Sequence, residues 1–206
     1  MGFRIAISGA PGTGKTTLAK ALSEHLSLPC IPEDVVKVIN ADSKYIAALV
    51  DEPVSGGESL GLEASRDALV EAFLDWFACR DSILNNKAGF IADRWELDVL
   101  GWWLMRFGIG THGVEEQTHQ LVQAMHQRSK QLDLVVVMPV SQPFSHKPNE
   151  QGLSRNVDLP GQVLNTALNL GLMTGFGQAR TLHMPPSCKT IDQRVNLVLD
   201  SVESRK

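Results

Sequence analysis

The sequence predicts an α/β protein, a three-layer α/β/α sandwich around a five-stranded parallel sheet, in a single domain spanning residues 1–206. Three observations carry that expectation. Short apolar runs alternate along the whole chain with longer runs of helical periodicity, the pattern of parallel strands joined by right-handed helical crossovers. The run 132–137 is apolar and rich in β-branched residues, as a parallel strand covered on both faces should be. A glycine-rich turn at residues 9–16 joins an apolar run to a helix-forming one, and no repeat or long linker divides the chain.

Taken in order, residues 3–7 form a first strand, and the helix over 16–26 carries Leu18, Leu22 and Leu26 on one face. Residues 28–31 read as a brief second strand, broken by Pro29 and Pro32. Glu33 and Asp34 open a helix over 35–50, where acidic residues suit the first turn. Residues 51–61 are a loop by composition. A long helix over 62–85 has Leu69, Phe73, Trp76, Phe77 and Ile83 as its apolar stripe. Gly89 ends that region, and residues 90–93 form a short strand closing on Asp93. Helices follow over 96–106 and 114–130 with a turn at 108–113, then the strand over 132–137. The stretch 141–160 is polar, proline-containing and without periodicity. A helix over 162–172, a last strand over 179–184 and a closing helix over 190–202 complete the chain. That last helix spaces Ile191, Val195, Val198 and Val202 for the core.

Composition narrows the function classes. With 19 basic and 23 acidic residues the net charge is −4, so no nucleic-acid partner is expected. No apolar run approaches membrane-spanning length, and the first apolar stretch runs directly into the glycine-rich turn, unlike a signal peptide. Met1-Gly2 begins like a myristoylation site, but Ala6 stands where that pattern wants Ser or Thr. Cys30, Cys79 and Cys188 are odd in number and widely spaced, and read as reduced core cysteines of a cytoplasmic protein.

Gly9-Ala10-Pro11-Gly12-Thr13-Gly14-Lys15-Thr16 fits the P-loop pattern G-x-x-x-x-G-K-[ST], in the strand–loop–helix setting that the pattern requires. Glycines let the backbone curl round a polyphosphate with its N–H groups inward, and the following helix points its positive dipole end at the same spot. Gly9, Pro11, Gly12, Thr13, Gly14, Lys15, Thr16 and Thr17 are therefore the nucleotide-binding candidates. Lys15 is expected on the β- and γ-phosphates, and Thr16 on Mg²⁺. The cofactors so implied are ATP and Mg²⁺.

A magnesium nucleotide needs a carboxylate near its metal, commonly at the C-terminal end of a neighbouring strand. Asp93 supplies one, making it both a metal and a catalytic candidate; capping of the following helix is the competing role. His112, His119 and His126 recur every seven residues, which on a helix sets neighbours about 10 Å apart, too far for one ion. Trp95, Trp102 and Trp103 admit two readings, an aromatic acceptor pocket or core packing.

Asp93-Arg94 resembles the Asp-Arg element of the deoxynucleoside and thymidylate kinases. The longer string Asp93-Arg94-Trp95-Glu96-Leu97-Asp98-Val99-Leu100 is similar to the segment after the third strand in ribosylnicotinamide-kinase-like P-loop domains. The resemblance covers nearly the whole chain in element order, with few specific motifs. It implies Asp93 on Mg²⁺ or the acceptor hydroxyl and Arg94 on substrate or phosphate. Asp98 is left between a pocket position and a solvated one.

Related kinases place an acidic residue after the second strand, facing the acceptor. Glu33 fits that place as a catalytic and substrate-binding candidate, against a helix-dipole charge as the plainer role. Val36 and Lys37 occupy the turn where relatives often carry an Arg. Arg80, in Phe77-Ala78-Cys79-Arg80-Asp81, resembles the Ala-Asp-Arg element of thymidylate kinase, which implies an acceptor contact; a surface Arg among acids is the alternative. Residues 141–160 stand where such kinases carry a lid. Gly152 and Arg155 fit its Asp-Gly-x-Arg motif with one extra residue, the acid lost or displaced to Glu150, and Lys147 could assist. Arg155 is thus the lid's catalytic candidate, and a loop with one solvated Arg is the alternative. Pro185-Pro186-Ser187 falls where this superfamily passes the adenine edge.

The resemblance implies an ATP- and Mg²⁺-dependent kinase with a small-molecule acceptor: a nucleoside, a nucleotide or a nicotinamide-riboside-like compound. A homodimer is left open. The alternative is an ATPase used as a nucleotide-gated regulatory or assembly module. A GTP switch is disfavoured, because Asp93-Arg94-Trp95-Glu96 and Asn86-Lys87-Ala88-Gly89 both fail the D-x-x-G and N-K-x-D patterns at the deciding position.

Overall fold

A computed structural model of the chain describes residues 2–9, 12–32, 59–85, 88–107, 115–139, 167 and 179–204. Along the chain these form β1 (Arg4–Ser8), α1 (Lys15–Leu26), β2 (Cys30–Ile31), α2 (Ser59–Leu84) and β3 (Phe90–Asp93). Then come α3 (Glu96–Phe107), α4 (Glu115–Ser129), β4 (Leu134–Val137), β5 (Arg180–His183) and α5 (Ile191–Glu203). The expected helix at 35–50, the turn at 108–113 and the lid at 141–160 lie outside the described residues, as do the expected helix at 162–172 except for helical residue 167, and Pro11, Glu33, Lys147 and Arg155.

The five strands make one all-parallel sheet in the order β2-β3-β1-β4-β5. Alternate side chains of each strand enter different cores, which establishes the three layers. Ile5 and Ile7 of β1, Ile91 of β3, and Leu134 and Val136 of β4 pack with Leu18 and Leu22 of α1 and Val195, Val198 and Val202 of α5. On the opposite face, Ala6, Phe90, Ala92, Val135 and Val137 meet Phe73, Trp76 and Phe77 of α2, Leu100 and Trp103 of α3, and Leu121 and Met125 of α4. This is the α/β/α sandwich expected from the sequence, with β1 at its centre.

Local chemistry fixes the ends of several elements. α1 stops at Ser27, whose left-handed backbone (φ 51°) lets its N–H bond the Ser23 carbonyl. α5 starts with a capping box: Gln193 N–H donates to Thr190 Oγ1 at 3.2 Å, and Gln193 Oε1 accepts from Thr190 N–H at 3.2 Å. β4 starts at Leu134, later than the run 132–137, because Leu132 N–H still closes a turn on the Ser129 carbonyl. Asp133 instead ties the edge of β1, with its carboxylate on Arg4 N–H at 3.0 Å.

Three expectations are corrected. α2 begins at Ser59, inside the stretch read as loop, since Leu60, Leu62, Glu63 and Ala64 propagate the helix across Gly61. Ile83 is 40% exposed and Leu84 takes its place in the core, so the stripe runs 69, 73, 76, 77, 80, 84. The cysteines are free thiols but none is a core residue: Cys79 is exposed, and Cys30 and Cys188 are partly exposed. Among the described residues no helix is long and apolar enough to cross a membrane.

Candidate functional site

The glycine-rich turn sits at the C-terminal end of β1, the central strand, where ligands of open α/β sheets bind. Gly9 (φ 139°), Gly12 (φ 80°) and Gly14 (φ 89°) all have backbone angles that side chains rarely adopt. At Gly9 a Cβ would also stand 3.0 Å from the Met138 Cβ and 3.1 Å from its carbonyl oxygen, so the loop presses directly on the end of β4. Gly14 is the N-cap of α1 and offers no side-chain cap, which leaves the helix's positive end to a ligand. Lys15 and Thr13 are buried, whereas Thr16 and Thr17 lie exposed on the first turn.

Strand register brings the second half of the site beside the first. Ile7 pairs with Asp93, so the last residue of β3 stands next to the strand that launches the loop. Asp93 is 3% exposed, and its Oδ1 has no hydrogen-bond partner among the described residues. A buried, unmatched carboxylate oxygen calls for a cation or a donor from beyond the described residues. Asp93 and the exposed Thr16 both offer oxygen donors, the kind Mg²⁺ takes. The capping expected as the competing role for Asp93 falls to Asp98, whose Oδ2 accepts the Trp95 N–H at 3.3 Å.

Asp98 is the residue that sequence reasoning left undecided, and it is buried. Its Oδ1 accepts from Ser8 Oγ at 3.1 Å and from Gly9 N–H at 3.0 Å, tying α3 to the first residue of the P-loop. The Arg94 guanidinium stands 3.8 Å away. Burial pushes the Asp98 carboxyl above its ordinary value, while Arg94, Lys15 and the Gly9 and Trp95 amides pull it back. A stripe analysis could have found it, since Asp98 lies three residues after the buried Trp95, on the same face of the turn.

Arg94 turns the corner between β3 and α3 in a left-handed conformation (φ 67°), which costs a non-glycine residue about 1–3 kcal/mol. Its N–H donates to the Ile7 carbonyl at 3.0 Å, and its own carbonyl accepts from Arg80 Nη2 at 2.9 Å. Arg80 is 3% exposed, not a surface residue, with its guanidinium 4.8 Å from the centroid of the Trp76 ring. It therefore reaches the site through the Arg94 backbone. Glu96 is buried and shifted upward by that burial, an effect opposed first by Arg80, then by a backbone hydrogen bond and by Arg128. Arg128 lies 3.8 Å from Glu96 and bonds Asp81.

Trp95 and Trp103 are core residues, 2% and 0% exposed, the second donating to Thr118 Oγ1 at 2.9 Å. A residue never weighed from sequence also reaches the loop: Arg194 of α5 donates to the Thr13 carbonyl.

Comparison with known proteins places this geometry. The profile AAA_28, described as an AAA domain, matches residues 4–158. None of the curated proteins compared matches the sequence. Among solved structures, deoxyadenosine kinase from M. mycoides superposes with a TM-score of 0.62 at 15% identity, over 99% of this chain and 100% of that one. Thymidylate kinase from Candida albicans gives 0.58 at 18% identity, over 99% and 92%. The fold is thus that of the P-loop nucleoside and nucleotide kinases.

Proposed function

The chain belongs to the AAA domain family, and from that premise we propose that it is an ATP- and Mg²⁺-dependent phosphotransferase acting on a small hydroxylated acceptor. The observation that carries the reading is Asp93, buried with an unmatched oxygen beside the strand that feeds the P-loop. Phosphoryl transfer asks a protein mainly for alignment and charge neutralisation, and this site supplies both. Lys15 and the N-terminus of α1 hold the phosphates, and Thr16 and Asp93 hold Mg²⁺, which when bound offsets the phosphate charge.

Arg94 presents its guanidinium from the strained corner toward substrate or phosphate, and Arg80 supports that corner from beneath. In this reading Arg80 acts through Arg94 as a positioning residue. Glu33 orients the acceptor hydroxyl, and Arg155 comes from a lid at 141–160 to the transferring group. The acceptor class is a nucleoside, a nucleotide or a nicotinamide-riboside-like compound, in line with kinases of the same fold that act on deoxyadenosine and thymidylate. The protein works in the cytoplasm.

A coupled ADP-release screen over nucleosides, nucleotides, nicotinamide riboside and other hydroxylated metabolites tests the proposal. Acceptor-dependent ADP release, lost in Lys15→Ala, is the expected result. Acceptor-independent release across the whole panel would instead support the second reading, a nucleotide-gated ATPase module, which the AAA domain match favours.

A further inference from the structure

Arg194 joins two segments that the strand order keeps apart. It projects from α5, where its Nε donates to the Cys188 carbonyl at 2.9 Å and its Nη1 to the Thr13 carbonyl at 3.3 Å. Thr13 belongs to the P-loop; Cys188 belongs to the segment between β5 and α5. The guanidinium passes so close to the loop that a Cβ on Gly14 would stand 3.0 Å from Nη1.

Sheet order gives this bridge a direction. Asp93, the metal candidate, ends β3 on one side of β1, whereas β4 and β5 lie on the other. If the terminal phosphates lie between Lys15 and Asp93, the side left for the nucleoside end is that of β4 and β5. The segment after β5, which Arg194 ties to the phosphate loop, follows the last strand on that side. A planar, always-charged guanidinium suits the task, because its fork binds two carbonyl oxygens at once in a fixed geometry.

We propose that Arg194 is a donor-side positioning residue: by tying Thr13 to Cys188 it sets the distance between the phosphate cradle and the segment that receives the nucleoside. The inference rests on the reading that the P-loop holds ATP. It predicts that removing Arg194 penalises a ligand with a nucleoside more than a bare polyphosphate.

Calorimetric titration of the full chain with Mg²⁺·ATP and with Mg²⁺·tripolyphosphate tests it, in the parent, Lys15→Ala, Arg194→Ala and Arg194→Lys. The expected result is a roughly ten-fold fall in the ratio of ATP to tripolyphosphate affinity in Arg194→Ala, on the scale of a hydrogen bond to a charged group. Arg194→Lys keeps the charge without the fork, so its ratio falls as well; it also serves if the alanine variant fails to fold. In turnover, KM for ATP rises while kcat stays within about two-fold, since nothing at the reacting end changes. Equal losses for both ligands, or no loss, would overturn the inference while leaving the ATP site intact. If the parent binds neither ligand, or Lys15→Ala binds both as the parent does, the ATP reading itself fails and the inference falls with it.

Discussion

A carboxylate removed from water is tolerable only while donors and cations surround it, and Asp98 depends on several at once. Ser8, Gly9 and Trp95 donate to it, and the Arg94 and Lys15 charges favour its ionised form. Asp98→Ala removes the charge that faces Arg94 and Lys15 and takes the acceptor from the Gly9 amide, and the expected cost is about 3–5 kcal/mol in urea unfolding. Asp98→Asn keeps an acceptor oxygen for Ser8 and Gly9 but loses the charge and the acceptor for the Trp95 N–H, so it costs less; equal costs would show that the retained Ser8 and Gly9 hydrogen bonds contribute little. Glu96 makes a separate prediction. Burial raises its carboxyl above the ordinary value, so in the window between the two values the folded protein binds more protons than the unfolded chain. Stability therefore falls as pH rises through that window. Glu96→Gln removes this contribution, and its stability–pH curve, measured by denaturant titration from pH 4 upward (roughly the free Glu value), is shallower than the parent's. Asp98 shifts in the same direction, so some slope persists.

At the scale of elements, helical spacing explains both what was readable and what was not. α5 and α1 obey their sequence stripes, with Leu18, Leu22, Val195, Val198 and Val202 all buried. α2 shows the limit of choosing residues by apolarity alone. Its buried positions continue through Arg80 to Leu84, and the spacing places a guanidinium inside the core two turns before β3. Ile83 looked like a core residue because it is apolar, yet it falls off the stripe. Leu84→Ala is expected to cost about 2–5 kcal/mol and Ile83→Ala no more than about 0.5 kcal/mol, checked by paired thermal or urea unfolding. The β3–α3 corner was legible as Asp93-Arg94 but not as a strained turn, because the positive φ of Arg94 is set by partners on β1 and α2.

For the molecule as a whole, the fold was legible because every layer repeats one local rule, a buried strand followed by an amphipathic helix. The site was legible only where function is packed into contiguous sequence, as in the P-loop. Asp98 and Arg194 reach that loop from α3 and α5, and no local pattern connects them to it. Binding should also be visible globally. Mg²⁺·ATP at a hundred times its Kd should stabilise the parent by about 2.7 kcal/mol, read as a rise in Tm, whereas Lys15→Ala should show no such rise.

The central place of β1 has a consequence for how the chain is made. Of the five strands β1 is made earliest, yet its neighbours are β3 and β4: Ile5 pairs with Ile91 and, later, with Leu134. At ribosomal rates of about 5–20 residues per second, the nascent chain waits on the order of ten seconds for that partner. Until then β1 can pair only on its β3 side, and the Gly9 turn lacks Met138, against which it packs and which emerges later still. The glycine-rich turn, which follows the earliest of the five strands, is thus one of the last places in the sheet to be completed. Until then, the open β4 side of β1 is a natural handhold for a chaperone.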